Sequence, residues 1–208
     1  MGDWKYIQDN LKETINMIFN DYNINDLSFY EKRNIIFEYL VNDLKYDYDL
    51  LEQIMDFKIN KTKVTRNPIK ELYSVMNNKI GICNAISQYY KLLLEIVGIK
   101  AYCVICDDGT EVKHQLNLVY DEASDLYSFD DVTSVIVGRG TTTDFFDYDL
   151  VFANSINQGN RYLMNNQKFF IVPEEHINYL VNREISLTEN LDKLPDNIMS
   201  VKNKSKTK

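Results

Sequence analysis

The sequence predicts an α+β domain, and three observations predict it. Apolar residues recur at helical spacing through the first half of the chain. After Gly98 the pattern changes to short apolar or alternating runs: IKAYCVIC, VKHQLNLVY and DLYSFDDVT. The turns between them, DDG and DEAS, are too short for a crossover connection, so the strands form an antiparallel meander.

In DWKYIQDNLKETINMIF, Trp4, Ile7, Leu11, Ile15, Met17 and Ile18 fall at roughly helical spacing. DLSFYEKRNIIFEYLVNDL is a clearer helix: Ser28, with Glu31 three residues on, makes a capping box, and Ile35, Ile36, Tyr39 and Leu40 form an apolar stripe. KYDYDLLEQIMDF is expected as a further short helix, and the polar KINKTKVTRNPIK as an exposed connection. In ISQYYKLLLEIVGIK, Ile86, Tyr90, Leu93 and Val97 repeat at i, i+4, i+7 and i+11, and Gly98 stands where a helix-ending glycine belongs. From GRGTTTDFF onward the pattern weakens, although VPEEHINYLVNRE reads as a helix begun by Pro173. The expectation is a single domain over residues 1–200, a helical N-terminal half packed on a small sheet, followed by a disordered Lys-rich tail at 201–208.

Composition narrows the function classes. With 45% hydrophobic and 26% charged residues, 7 Gly and 3 Pro, the chain can bury a core and is neither disordered nor fibrous. Its net charge is −8, and without the tail's four Lys it is −12, so no folded basic face is expected and nucleic acid is not an expected partner. No apolar run approaches the roughly 18 residues of a membrane span. The opening MGDWKYIQDNLKE has acids where a signal peptide would be apolar, which makes the cytoplasm the expected compartment. The tail's Lys, lacking an apolar anchor, are too few for stable membrane attachment. Cys103 and Cys106 form a C-x-x-C, but in a strand they point to opposite faces, and no second ligand pair exists; buried thiols are expected, with no metal and no cofactor. The oligomeric state is not legible.

Three residues remain that can do chemistry together. Cys83 lies just ahead of the third long helix, His114 in the following strand pair, and Asp130 at the end of the next strand. Neighbouring strands lie about 4.8 Å apart, so His114 and Asp130 can be adjacent, and a helix packed on the sheet can bring Cys83 to the same edge. A thiolate is the nucleophilic form of cysteine, and a helix N-terminus favours the anion. Histidine can then act as general acid toward the leaving group, while an aspartate holds its tautomer and orientation. The product of that set is acyl transfer through a thioester.

These residues sit in segments that resemble a known family. GIC opening a helix that ends LLLEIVGIK, then HQLNLVY, then LYSFDDVT, with SFYEKRNIIFEYLVNDLKYDYD upstream, resembles the transglutaminase-like superfamily of papain-type fold over about residues 28 to 133. The resemblance implies Cys83 as nucleophile, His114 as general base and acid, and an orienting acid in the DD pair. Asp130 is favoured, because Phe129 then takes the apolar place before it, and Asp131 is the alternative. Asn117 matches the family's Asn in the His strand. Tyr73 and Asn78 are candidate side-chain donors to an oxyanion, beside the Cys83 backbone N–H. Leu116 replaces the family's Trp, and Ala85 replaces a Gly and raises the question of access to the sulfur. The expected activity is cysteine-dependent hydrolysis or transfer at an amide of a protein or peptide. Hydrolysis is favoured over cross-linking, because the chain is short and shows no acidic calcium-loop pattern. The alternative is a binding module of the same fold with weakened catalysis.

Overall fold

The computed structural model describes residues 2–60, 66–106, 114–137 and 170–171. Helix α1 (Gly2–Ile18) buries Ile7, Leu11, Ile15 and Ile18. Met17 is 56% exposed, because 100° per residue carries it to the far side from Ile15. Helix α2 (Phe29–Asp43) opens with the expected capping box: the Glu31 backbone N–H donates to Ser28 Oγ (3.3 Å), and the Ser28 N–H donates to the Glu31 carboxylate (2.7 Å). Its buried stripe is Arg33, Ile36, Leu40 and Val41, with Ile35 and Tyr39 half-buried. A charged residue thus sits within the apolar face.

Strand β1 (Lys45–Tyr46) follows, then α3 (Tyr48–Asn60), whose first turn is capped by Asp47 accepting the Leu50 N–H (2.9 Å). The expected connection is shorter than its polar composition suggested. Helix α3 runs to Asn60, and α4 (Pro68–Tyr73) begins at the Asn-Pro pair, where Asn67 Oδ1 accepts the N–H groups of Ile69 and Lys70. A π-turn (Ser74–Asn78) then ends at Lys79, whose φ of 59° redirects the chain into β2 (Ile80–Gly81).

Helix α5 (Cys83–Ile96) is the centre of the molecule. Residues 85–90 and 92–94 are buried, and a helix apolar around its circumference belongs inside. It lies on β3 (Lys100–Cys106) and β4 (His114–Asp121), with α1, α2, α4 and α6 (Val132–Val137) packed around it. Gly98, at φ 83°, ends it, and the Ile99 N–H returns to the Leu94 carbonyl (2.9 Å). Strands β3, β4 and β5 (Leu126–Asp130) form the antiparallel sheet, with β6 (Phe170–Ile171) added beside β5, so the fold is α+β as the sequence predicts. Across the sheet Cys103, Asn117 and Asp130 stand in register.

The third strand stops earlier than expected. Asp130 is its last residue; the chain then turns into α6 at Asp131, whose Oδ1 accepts the Ser134 N–H (2.9 Å) as a helix N-cap. The expected helix at Pro173 and the tail at 201–208 lie outside the described residues, as does His176. Among the described residues no helix is long and apolar enough to cross a membrane.

Candidate active site

Cys83 is the first residue of α5 and is partly exposed. Its N-cap, Ile82, is extended and offers no side-chain acceptor, which leaves the positive end of the helix without a side-chain cap beside the sulfur. Backbone pairing sets that position. Strand β1 pairs in parallel with β2, the Asp47 N–H donating to the Gly81 carbonyl (2.9 Å). A Cβ on Gly81 would come 2.3 Å from Val75 Cγ2, so only glycine lets the chain pass the π-turn here. The Ala85 methyl is buried and faces this Gly81 contact, 3.6 Å from that Cβ position. Ala85 therefore packs inward against β2.

His114 is the first residue of β4. Its Nε2 lies 2.7 Å from Asp131 Oδ2. The ring is also hydrogen-bonded to the Cys83 thiol. Asp131 is 4% exposed and also accepts the Ser134 hydroxyl. The structure therefore brings Cys83, His114 and Asp131 into one chain of hydrogen bonds.

The favoured Asp130 is not part of that chain. Asp130 points to the other side, where Arg33 grips it with Nε on Oδ2 (2.7 Å) and Nη2 on Oδ1 (2.6 Å), and the Tyr90 hydroxyl donates to Oδ2 (2.6 Å). All three side chains are at most 1% exposed. Successive residues of an extended chain face opposite ways, so only one aspartate can reach His114. Asp130 faces the helices because Arg33 waits there. A charged residue three before Ile36 and seven before Leu40, on the same helical face, was the signal for a buried acid elsewhere.

The charges reinforce one another. Burial alone would raise the Cys83 thiol, but the hydrogen bond and charge of His114 and the Gln115 backbone N–H outweigh it and hold the thiol below its ordinary value. Burial alone would lower His114, yet the Asp131 charge and hydrogen bond, with Cys83 behind them, carry the imidazole well above its ordinary range. Burial would raise Asp131, and the His114 charge with the Ser134 hydrogen bonds holds it low. The set can exist as thiolate, imidazolium and carboxylate.

The remaining expectations divide. Asn117 is buried and donates to the Ser87 carbonyl (2.9 Å) and toward Cys103 Sγ (3.7 Å), tying β4 to α5. The Tyr73 ring stacks on Tyr6 of α1 at 5.3 Å, and Asn78 is exposed on the π-turn. Two site residues escaped the sequence. Gln115 turns its N–H to the sulfur and its side chain to Ser87 Oγ (2.8 Å). Tyr46, opposite Gly81, lies near enough to Cys83 and Asp131 that burial, then those charges, push its phenol far above its ordinary value and keep it protonated. The parallel β1–β2 pair that places it spans two residues, too short for any periodicity to announce.

A cleft of about 210 Å³ opens beside the site, lined by Asp47, Arg66, Lys70, Glu71, Gly81 and Ile82, and so reaches the residue before Cys83. Among the described residues no three His, Cys, Asp or Glu side chains are grouped to hold a metal ion.

Neither a protein-family model nor a curated protein matches the sequence. Among solved structures, the crystal structure of a TGase matches 83% of this chain with a TM-score of 0.50 and 16% identity. This chain corresponds to 45% of that one. At that identity the likeness concerns the fold, which is transglutaminase-like.

Proposed function

We propose that this protein is a cysteine-dependent enzyme that cleaves an amide of a peptide or protein through a thioester on Cys83. His114 is the general base and acid, and Asp131 is the acid that orients it. The observation that carries the reading is the hydrogen-bonded series Cys83–His114–Asp131 at the uncapped start of α5.

The thiolate attacks the carbonyl carbon, and the imidazolium gives its proton to the departing amine. The Cys83 backbone N–H supplies one donor to the oxyanion, and the protonated Tyr46 phenol is the second donor we assign. Substrate enters along the cleft ending at Ile82. His114 is 18% exposed and Cys83 partly so; solvent reaches the site, which supports water as acyl acceptor.

Incubation with a peptide library, with and without a primary amine, separates the outcomes by mass. Cleaved peptides, lost with Cys83→Ala, are expected. Deamidated glutamine or amine adducts would move the reaction to deamidation or transfer. Slow, uniform alkylation of Cys83 and Cys103 with no product would leave the fold as a binding module.

A further inference from the structure

The Arg33–Asp130–Tyr90 cluster has no part in the chemistry above, and its geometry is costly. A fully buried ion pair adds little stability over well-packed apolar residues. Here the pair is bidentate, 1% exposed, and closed by a third partner from α5, with burial and the Asp130 charge keeping Tyr90 protonated so that it donates. It joins three elements, α2, α5 and the end of β5, at the residue next to Asp131.

That position matters because the sequence offers two adjacent carboxylates to one histidine. If Asp130 were free, a one-residue slip at the end of β5 would bring it toward His114 and turn Asp131 away. The fork of Arg33 accepts only a carboxylate aligned with both Nε and Nη2, and Tyr90 Oη binds the same oxygen that Nε does. Asp130 is therefore held in one orientation, and the backbone that follows it is set for Asp131 to cap α6 and meet His114.

We propose that Arg33, Asp130 and Tyr90 are positioning residues: they lock the end of β5 so that Asp131, and not Asp130, engages His114. The inference rests on the Cys83–His114–Asp131 reading and adds a device to it. In the folded protein, loosening the lock lets Asp131 drift from His114, and the thiolate–imidazolium pair weakens although none of its members has changed.

The test is the pH dependence of Cys83 alkylation by iodoacetamide, mapped by mass spectrometry, which needs no substrate. The wild-type inflection should lie well below the free thiol value of about 8.5, and Asp131→Asn should raise it. The double variant Arg33→Met with Asp130→Asn removes both charges together and leaves the net charge unchanged. It should raise the inflection by about one unit, so that alkylation below it slows roughly tenfold. Arg33→Lys, which keeps the charge and loses the fork, should do the same. Tyr90→Phe removes only the phenol's hydrogen bonds to Asp130 and Arg33, leaves both charges in place, and serves if the others do not fold. Leu11→Ala, a core change on α1, controls for destabilisation and should leave the inflection in place. Folded variants with the wild-type inflection, alongside a responsive Asp131→Asn, would overturn the lock alone. An ordinary inflection in the wild type, or none of the expected response in Asp131→Asn, would overturn the site reading itself.

Discussion

Asp130 and Asp131 carry the same side chain, and their surroundings give them opposite work. Asp130 sits against a guanidinium and a phenol in the core; Asp131 sits against an imidazole and a helix N-terminus at the rim. Mutation should separate the two. Asp131→Asn is predicted to lower kcat by about 10⁴-fold, because the imidazole loses its tautomer, and to lower the denaturation midpoint by less than the Asp130 change does, since the amide still caps α6. Asp130→Ala is predicted to cost about 3–5 kcal/mol of stability, since it leaves Arg33 charged and unpaired in the core. Urea titration read beside the kinetics distinguishes these. For Tyr46, replacement by Phe removes one oxyanion donor and should lower kcat by about 10²-fold with KM nearly unchanged. An unchanged kcat would remove Tyr46 from the reaction.

At the scale of elements, the site depends on how β2 delivers the chain to α5. The π-turn, the left-handed Lys79 and the two-residue parallel pairing with β1 place Cys83 at the helix start, and Gly81 is the tightest point on that path. Gly81→Ala is predicted to destabilise by about 1–3 kcal/mol through its clash with Val75, and to slow Cys83 alkylation as α5 shifts. Ser28→Ala, which removes the cap of α2, should cost about 1 kcal/mol and leave alkylation untouched. Helices α2 and α5 and their ends were legible because each depends on neighbours in sequence: Ser28 with Glu31, Gly98 after Ile96; α4 and α6, one turn or two each, were not. Tyr46 and Gln115 were not legible. Their roles arise from contacts between elements, which no local period records.

For the whole molecule, the pair of shifted groups sets the pH profile. The Cys83 thiol is lowered and the His114 imidazole raised, so activity should rise through the first and fall through the second. Stability follows the partners. The lowered Asp131 contributes fully above its unfolded value of about 3.9, and that contribution is lost as pH falls through the lower folded one. The raised His114 contributes fully below its unfolded value of about 6.5, and that contribution is lost as pH rises through the higher folded one. Asp131 and His114 together therefore favour the fold most between about pH 4 and 6.5, while the lowered Cys83 thiol adds a contribution that grows as pH rises from its folded value to about 8.5 and offsets part of the alkaline decline. A profile that is the same in His114→Gln would count against the pairing.

By itself the sequence determined the α+β class, the three-stranded meander, the helices α1, α2, α3 and α5 and the candidate pair Cys83 and His114, because periodicity, caps and residue chemistry are written locally. Only the tertiary structure decided which aspartate joins them. That choice was made 97 residues before Asp130, at Arg33, and 40 before it, at Tyr90 inside α5. A buried guanidinium must find a carboxylate, and the first of two neighbours to be taken leaves the second for the histidine.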